Sequence, residues 1–163
     1  MTAEKIITTT QEIDVDVTGI TLLSVEEAKE VDKNIRCIGD SWWLRSSGHY
    51  DDIAAYVYRY GVVYEDGSAV EYYIGVRPAL QISNLESFNF RIGDRFVLVG
   101  EQWVVISKDK ALCDRIIGKT PFREYYKAPD ANNYEKSDIK IWLEQWASEK
   151  GIIPEVNKNE SSS

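Results

Sequence analysis

The fold is decided by residues 42–82, which read WWLRSSGHYDDIAAYVYRYGVVYEDGSAVEYYIGVRPALQI. This stretch is rich in Tyr and Val and is punctuated by glycines, which is typical of short strands joined by tight turns. Asp66-Gly67 is the strongest hairpin signal, because both residues accept positive φ. Pro78 must then lie at a sheet edge or a bulge. We predict successive antiparallel strands over Ala54 to Tyr60, Val62 to Glu65, Ala69 to Ile74 and Gly75 to Gln81.

The chain before this stretch is predicted to form one strand and one short helix. Ile13, Val15 and Val17 alternate with acidic residues, as on an edge strand. Ser24 and Glu27 have the spacing of a capping box, in which each side chain accepts a hydrogen bond from the other residue's backbone N–H. We therefore predict a helix that ends near Val31.

The chain after residue 90 is predicted to form a three-stranded meander and a second helix. The strands are expected within 94–99, 103–107 and 110–117. Ser137 is expected to cap a helix that ends at Gly151. One face of this helix carries a predicted core stripe of Ile139, Trp142, Leu143 and Trp146. The predicted fold class is therefore α+β, with mostly antiparallel short strands and two helices.

Length and composition bound the domain organisation and the class of partner. A chain of 163 residues with 44% hydrophobic residues can bury one good core. We predict a single domain over residues 12–153, with flexible ends at 1–11 and 154–163. The net charge of −8 disfavours direct binding to nucleic acid, since phosphates are bound by clustered Lys and Arg.

Localisation is predicted from the apolar segments and the two cysteines. No apolar run approaches the length of about 20 residues that spans a bilayer, so no membrane role is expected. No leader peptide pattern is seen at the start of the sequence. Cys37 and Cys113 lie in apolar stretches, which indicates buried free thiols in an intracellular protein.

Four motifs follow one another in the chain: Leu22-Leu-Ser-Val-Glu-Glu-Ala-Lys, Trp42-Trp-Leu-Arg-Ser-Ser-Gly, Ala54-Ala-Tyr-Val and Gly75-Val-Arg-Pro-Ala-Leu. In this order they resemble a domain family of unknown function found in gut-type Firmicutes and their phages. The family's usual second motif is WWLRSPG, so Ser47 replaces a proline and that loop is expected to be less rigid. The two motif halves, 12–83 and 90–153, stand in swapped order, as in a circular permutation. The resemblance implies phage or mobile-element origin and a C-type-lectin-like fold.

The sequence offers little support for catalysis or for a metal site. Asp51 and Asp52 could hold a hard cation, but two carboxylates fall short of the six to eight oxygens that calcium prefers. His49 is the one histidine, and it stands in no zinc-binding or nucleophile motif. We therefore predict no enzyme activity, no metal and no cofactor. Arg45 and Arg77 are expected to form buried or half-buried hydrogen bonds with carboxylates or loop carbonyls, with ligand contact as the alternative.

Tyrosine density is the most informative feature, because seven of the ten tyrosines lie between Tyr50 and Tyr73. Tyr56, Tyr58 and Tyr60 share one strand face at period two, which fits either a covered sheet face or an exposed contact surface. Acidic neighbours favour a basic protein partner. We predict a protein-binding site at His49, Tyr50, Asp51, Asp52, Tyr58, Tyr60, Tyr64, Glu65 and Asp66.

Three functions fit this prediction. The first is a non-enzymatic protein-binding module, acting in the host cytoplasm. The second is an inhibitor of a host defence nuclease that mimics nucleic acid, which would concentrate carboxylates on one face. The third is a structural component of a virion. Neither the identity of the partner nor the oligomeric state follows from the sequence.

Overall fold

A computed structural model describes residues 12–152 and confirms the α+β class. The helices within this range are α1 (Val25–Glu30), α2 (Lys33–Arg36) and α3 (Asp138–Lys150). Two 3-10 helices cover Leu85–Phe88 and Tyr134–Lys136. The strands are β1 (Val17–Thr21), β2 (Trp42–Ser47), β3 (Ile53–Val57), β4 (Val63–Ala69), β5 (Ile74–Val76), β6 (Ala79–Ile82), β7 (Arg95–Leu98), β8 (Glu101–Val105), β9 (Lys110–Cys113) and β10 (Gly118–Thr120).

The chain divides into two compact units, each with its own sheet. One unit comprises 12–20, 78–114 and 145–152 of the described residues, and the other comprises 21–77 and 115–144. Neither unit is a continuous stretch of chain, and their limits differ from the two motif halves seen in the sequence. A single domain over 12–153 stays a prediction, and the two predicted flexible ends lie outside the described residues.

The first unit holds a five-stranded sheet in the order β1-β6-β9-β8-β7. Its last three strands form the predicted antiparallel meander, with Trp103 opposite both Phe96 and Cys113. Trp103 is fully buried, and its indole N–H donates to the carbonyl of Leu98 at 3.1 Å. The predicted edge strand lies at the sheet edge but begins later than expected, at Val17.

The second unit holds a five-stranded sheet in the order β10-β5-β2-β3-β4. All its pairings are antiparallel except β2 with β5. Trp42 and Trp43 point to opposite faces of β2, and both are fully buried. The indole of Trp42 donates to Arg36 O at 3.1 Å, and that of Trp43 donates to Thr120 O at 2.9 Å. Adjacent side chains on a strand face opposite sides, so the sequence would allow one of the two to be exposed, but both faces of β2 are covered here.

The predicted hairpin turn at Asp66-Gly67 is also wrong, because both residues lie inside the continuous strand β4. The chain instead reverses before it, where Tyr58 N donates to Val62 O at 2.7 Å and Gly61 adopts φ +87°. Gly67 has φ +93°, and a Cβ there would lie 2.4 Å from Ala54 O. It marks a bulge, since the β3–β4 register shifts between Ala54 and Tyr56.

The predicted strand over Gly75 to Gln81 is divided between β5 and β6, which belong to different sheets. Pro78 lies between these two strands, so its missing N–H removes no sheet hydrogen bond. Its carbonyl accepts from Cys113 N at 2.8 Å. The prediction that this proline lies at a sheet edge or a bulge is therefore wrong, because Pro78 lies in the connection between two sheets.

The helix-start signals are confirmed. Ser24 caps α1, and the reciprocal hydrogen bonds with Glu27 of a capping box are both present. Ser137 Oγ accepts from Lys140 N at 3.1 Å in the first turn of α3, and Gly151 follows the helix at φ +82°. In the predicted core stripe, Ile139 and Leu143 are buried, whereas Trp142 and Trp146 are half-buried.

The two cysteines are free, but only Cys113 is buried as predicted. Cys37 is exposed, and its Sγ lies 3.4 Å from the carbonyl oxygen of Arg59. It follows the short helix α2, which the sequence analysis missed, as the residue after the last helical position. The apolar neighbours Ile35 and Ile38 therefore misled the prediction, because only one of them is buried.

Candidate functional site

The hairpin of β3 and β4 carries a continuous group of aromatic rings, here called the tyrosine cluster, formed by Tyr56, Tyr58, Tyr60 and Tyr64. Tyr56 and Tyr64 are cross-strand partners, and their rings stack with centroids 5.5 Å apart. Tyr58 meets the rings of Tyr60 and Tyr64 edge-on at 5.4 and 5.7 Å. Aromatic pairs at such distances hold one another in place, so the cluster is preorganised.

The tyrosine cluster faces solvent at its open end. Tyr60 is 60% exposed and Tyr64 is 43% exposed, while Tyr56 and Tyr58 are half-buried. Tyr56 forms the base, with its ring 6.4 Å from that of the buried Trp43. Burial, together with the nearby Tyr64 and Tyr58, raises the pKa of the Tyr56 phenol. Its hydroxyl therefore remains a hydrogen-bond donor to a higher pH than that of an ordinary tyrosine.

Arg59 belongs to this surface and was missed by the sequence analysis. Its guanidinium lies 5.5 Å from the ring centre of Tyr58 and 5.0 Å from that of Tyr60. Cation–π contacts of this kind fix the side chain over the turn. The available signal was its position between two tyrosines just before Gly61, where a tight turn presents consecutive side chains to solvent.

Four further predicted residues lie in the turn that links β2 to β3. His49, Tyr50, Asp51 and Asp52 form one wall of an open groove of about 710 Å³. The opposite wall is Tyr126, Lys127, Ala128 and Pro129, and the whole is here called the His49 groove. The His49 and Tyr50 rings meet edge-on at 4.5 Å. The second wall was missed, because it comes from a loop more than 70 residues later in the sequence.

One asparagine braces the turn that forms the first wall. The side-chain amide of Asn132 donates to Tyr50 O at 2.9 Å and to Ile53 O at 3.1 Å. Its backbone N–H donates to Asp51 O at 2.9 Å. On the far side, Val70 N donates to Asp52 O at 3.0 Å. The turn is therefore held from outside by four hydrogen bonds and does not depend on a ligand for its shape.

The remaining two predicted residues, Glu65 and Asp66, differ in what they can offer a partner. Glu65 is paired with Lys29 of α1 at 2.6 Å, which offsets its charge. Asp66 is exposed, and its carbonyl accepts from His49 N at 3.0 Å. Eight of the nine predicted residues thus fall into two groups. Tyr58, Tyr60 and Tyr64 belong to the tyrosine cluster, whereas His49 to Asp52 line the His49 groove and Asp66 lines an adjoining depression shared with His49 and Tyr50. Glu65 lies in β4 between them.

The two arginines of the family-like motifs are engaged within the protein. Arg45 is paired with Glu27 and donates to Leu22 O at 2.7 Å. Arg77 is fully buried, donates to Ile35 O at 2.8 Å and lies over the ring of Trp42 at 5.0 Å. Both arginines therefore form hydrogen bonds within the protein, as predicted.

Within residues 12–152, no three His, Cys, Asp or Glu side chains come together in a way that could hold a metal ion. None of the helices described there is long and apolar enough to cross a membrane.

No protein-family model matches the chain, and neither do the curated proteins or the solved structures with which it was compared. The resemblance seen in the four motifs, and the C-type-lectin-like fold that it implies, therefore stay predictions. The tyrosine cluster and the His49 groove, both in the second unit, are the features that bear on function.

Proposed function

We propose that this protein is a non-enzymatic protein-binding module of phage or mobile-element origin, whose main contact surface is the tyrosine cluster. The observation that supports this proposal is the set of mutually contacting, solvent-facing tyrosine rings at one end of the β3–β4 hairpin. Tyr gives a large contact area with few rotatable bonds, so ordering it on binding loses little entropy. The origin rests on the motif resemblance alone.

The strand that carries Tyr64 is protected against pairing with another strand. β4 lies at the edge of its sheet, where unpaired backbone groups could pair with a foreign chain. The bulge at Gly67 interrupts that edge, and so do the adjacent negative charges of Glu65 and Asp66. A partner is therefore expected to bind the side chains of the cluster and not to extend the sheet.

The charges around the hairpin favour a basic protein partner over mimicry of nucleic acid. Asp51, Asp52 and Asp66 add negative charge on the groove side of the hairpin. Other carboxylates of this unit are interleaved with lysines, in the pairs Lys29–Glu65, Lys119–Asp40 and Lys136–Asp130. A phosphate-like array would need carboxylates without such neighbours. Association with a basic partner should slow as salt rises.

The proposal is tested by replacing two tyrosines of the cluster. Tyr58→Ala with Tyr60→Ala should weaken partner binding by at least about 2 kcal/mol, because binding hot spots concentrate in Tyr, Trp and Arg. The matched control is Tyr72→Ala with Tyr73→Ala, which removes two tyrosines that are 58% and 70% exposed in the same unit. Affinity purification from a bacterial lysate, with mass spectrometry, identifies proteins retained by the wild type and by the control.

Direct titration of a purified candidate then decides the outcome. A protein that binds the wild type and the control with equal affinity, and the cluster variant at least about thirtyfold more weakly, supports the proposal. Equal affinity for all three forms would show that the cluster is not the contact surface. The free energy of unfolding of each variant, measured in urea, separates lost contacts from lost folding.

Cys37 provides an independent readout without mutation. Its exposed thiol lies against the Arg59 carbonyl in the turn of the cluster, whereas the chain's other cysteine, Cys113, is buried. An alkylating reagent should therefore label Cys37 selectively, and a bound partner should slow that reaction. Unchanged labelling under saturating partner would place the contact surface elsewhere.

A further inference from the structure

The His49 groove presents two carboxylates that the protein itself does not use. Among the residues that the structure describes, the backbone carbonyls of Asp51 and Asp52 accept hydrogen bonds, but neither carboxylate takes part in a hydrogen bond or an ion pair. Other carboxylates of the same unit, such as Glu27, Asp40 and Glu65, are paired with Arg or Lys. The Asp51 and Asp52 side chains line a volume of about 710 Å³, in the range of small-ligand sites.

Aromatic rings stand on both walls beside these carboxylates. Tyr50 is 66% exposed on one wall, and Tyr126 is 41% exposed on the other. The protein's own Lys127 ammonium already lies over the Tyr126 ring, 5.6 Å from its centre. This contact places a cation against an aromatic face on the groove wall, which is a favourable arrangement.

We infer that the His49 groove binds the guanidinium group of an arginine in an extended segment of a protein partner. A guanidinium is planar, so one face can stack on a tyrosine ring while its N–H groups donate to a carboxylate. An ammonium can satisfy the carboxylates but cannot stack in this way. Because the four external hydrogen bonds on the turn fix the first wall, little ordering accompanies binding.

The inference rests on the proposed protein-binding function and adds the side chain that the partner presents. Its experiment uses a synthetic probe and not the partner, so the two proposals can fail separately. Loss of groove binding would leave the tyrosine cluster untouched, and failure of the cluster would leave the peptide result standing.

The probe is the peptide acetyl-Gly-Arg-Gly-amide, titrated into the full-length ¹⁵N-labelled protein by NMR. It should shift the amide resonances of residues 49–53 and 126–128, with a dissociation constant on the order of millimolar for a single side chain. The citrulline peptide keeps the shape and lacks the charge, and it should bind at least about tenfold more weakly. The lysine peptide should bind about threefold more weakly than the arginine peptide.

Two sets of variants test the carboxylates. Asp51→Asn with Asp52→Asn should weaken binding of the arginine peptide at least about tenfold. The control is Glu26→Gln with Glu30→Gln, which removes an equal number of negative charges from exposed positions on α1. It should change the affinity for the arginine peptide less than twofold. Lys127→Gln removes the competing cation and should tighten binding about two- to fivefold. This gain cannot arise from misfolding.

Three results would overturn the inference. The first is equal binding of the citrulline or lysine peptide, which would remove the guanidinium assignment. The second is an equal loss in the aspartate and glutamate variants, which would reduce the effect to net charge. The third is absence of shifts at residues 49–53 at about 20 mM peptide, well above the expected dissociation constant.

Discussion

At the residue scale, buried polar groups show how the second unit is held together. Tyr134 is buried, with its ring 6.2 Å from that of Phe122. Burial is the main reason that the pKa of its phenol rises to about 12, and the carboxylates of Glu144 and Glu135 add to the effect. A side-chain hydrogen bond with Thr21 opposes it. The neutral phenol is therefore the form that fits the fold.

This shift predicts a loss of stability in alkali. Unfolded Tyr releases its proton near pH 10, whereas folded Tyr134 keeps it to about pH 12, so stability falls as pH rises between these values. The expected loss from this group is about 1 to 3 kcal/mol. Urea unfolding at pH 9 and at pH 11.5 should show a smaller alkaline loss for Tyr134→Phe than for the wild type. The exposed control Tyr72→Phe should behave as the wild type, and equal losses in all three forms would contradict the assignment.

At the element scale, Gly67 shows that one dipeptide can serve two different backbone structures. Asp-Gly suits a hairpin turn, because both residues tolerate positive φ. The same tolerance suits a bulge, and here β4 uses it at φ +93° with Ala54 O directly in the way of a side chain. The sequence supports both readings equally, since the choice is made by the pairing of β4 with β3.

Gly67→Ala should therefore destabilise the protein by about 2 kcal/mol or more, because it combines a positive φ with a clash against a backbone oxygen. Gly39 is the matched control, since it has φ +83° and a Cβ added there would have no other atom within 4 Å. Gly39→Ala should lose only about 1 kcal/mol, the strain of the backbone alone. Equal losses, measured by urea unfolding, would show that the bulge is not constrained by Ala54.

The elements that the sequence predicted well are those with local signals. The capping box of α1 and the caps of α3 depend on residues within one turn, and the meander β7–β8–β9 depends on short connections. Two of the failures depend on distant pairing. The division of β5 and β6 between two sheets, and the second wall of the His49 groove, are set by contacts between residues far apart in the chain. Period two could place tyrosines on one face, but it could not say which face meets solvent.

At the scale of the whole molecule, chain order constrains how the protein unfolds. The first unit is built from three separate segments and the second from two, so the chain passes repeatedly from one unit to the other. If the second unit unfolds, the segments of the first are joined by long flexible loops, and closing those loops costs entropy. Each unit is therefore stabilised by the folded state of the chain that connects its segments.

We accordingly expect one cooperative unfolding transition, with equal calorimetric and van't Hoff enthalpies. Two variants test this from opposite sides: Trp103→Ala removes a fully buried indole from the first unit, and Trp43→Ala removes one from the second. Each should lose about 3 to 5 kcal/mol, as for deletion of a large buried aromatic side chain. If the units are coupled through the chain, both variants lower the temperature of the same single transition. A contrary result would be a split transition, in which one unit melts early while the other keeps the wild-type melting temperature. The two units would then be independent domains. The tyrosine cluster and the His49 groove could in that case be studied in the second unit alone.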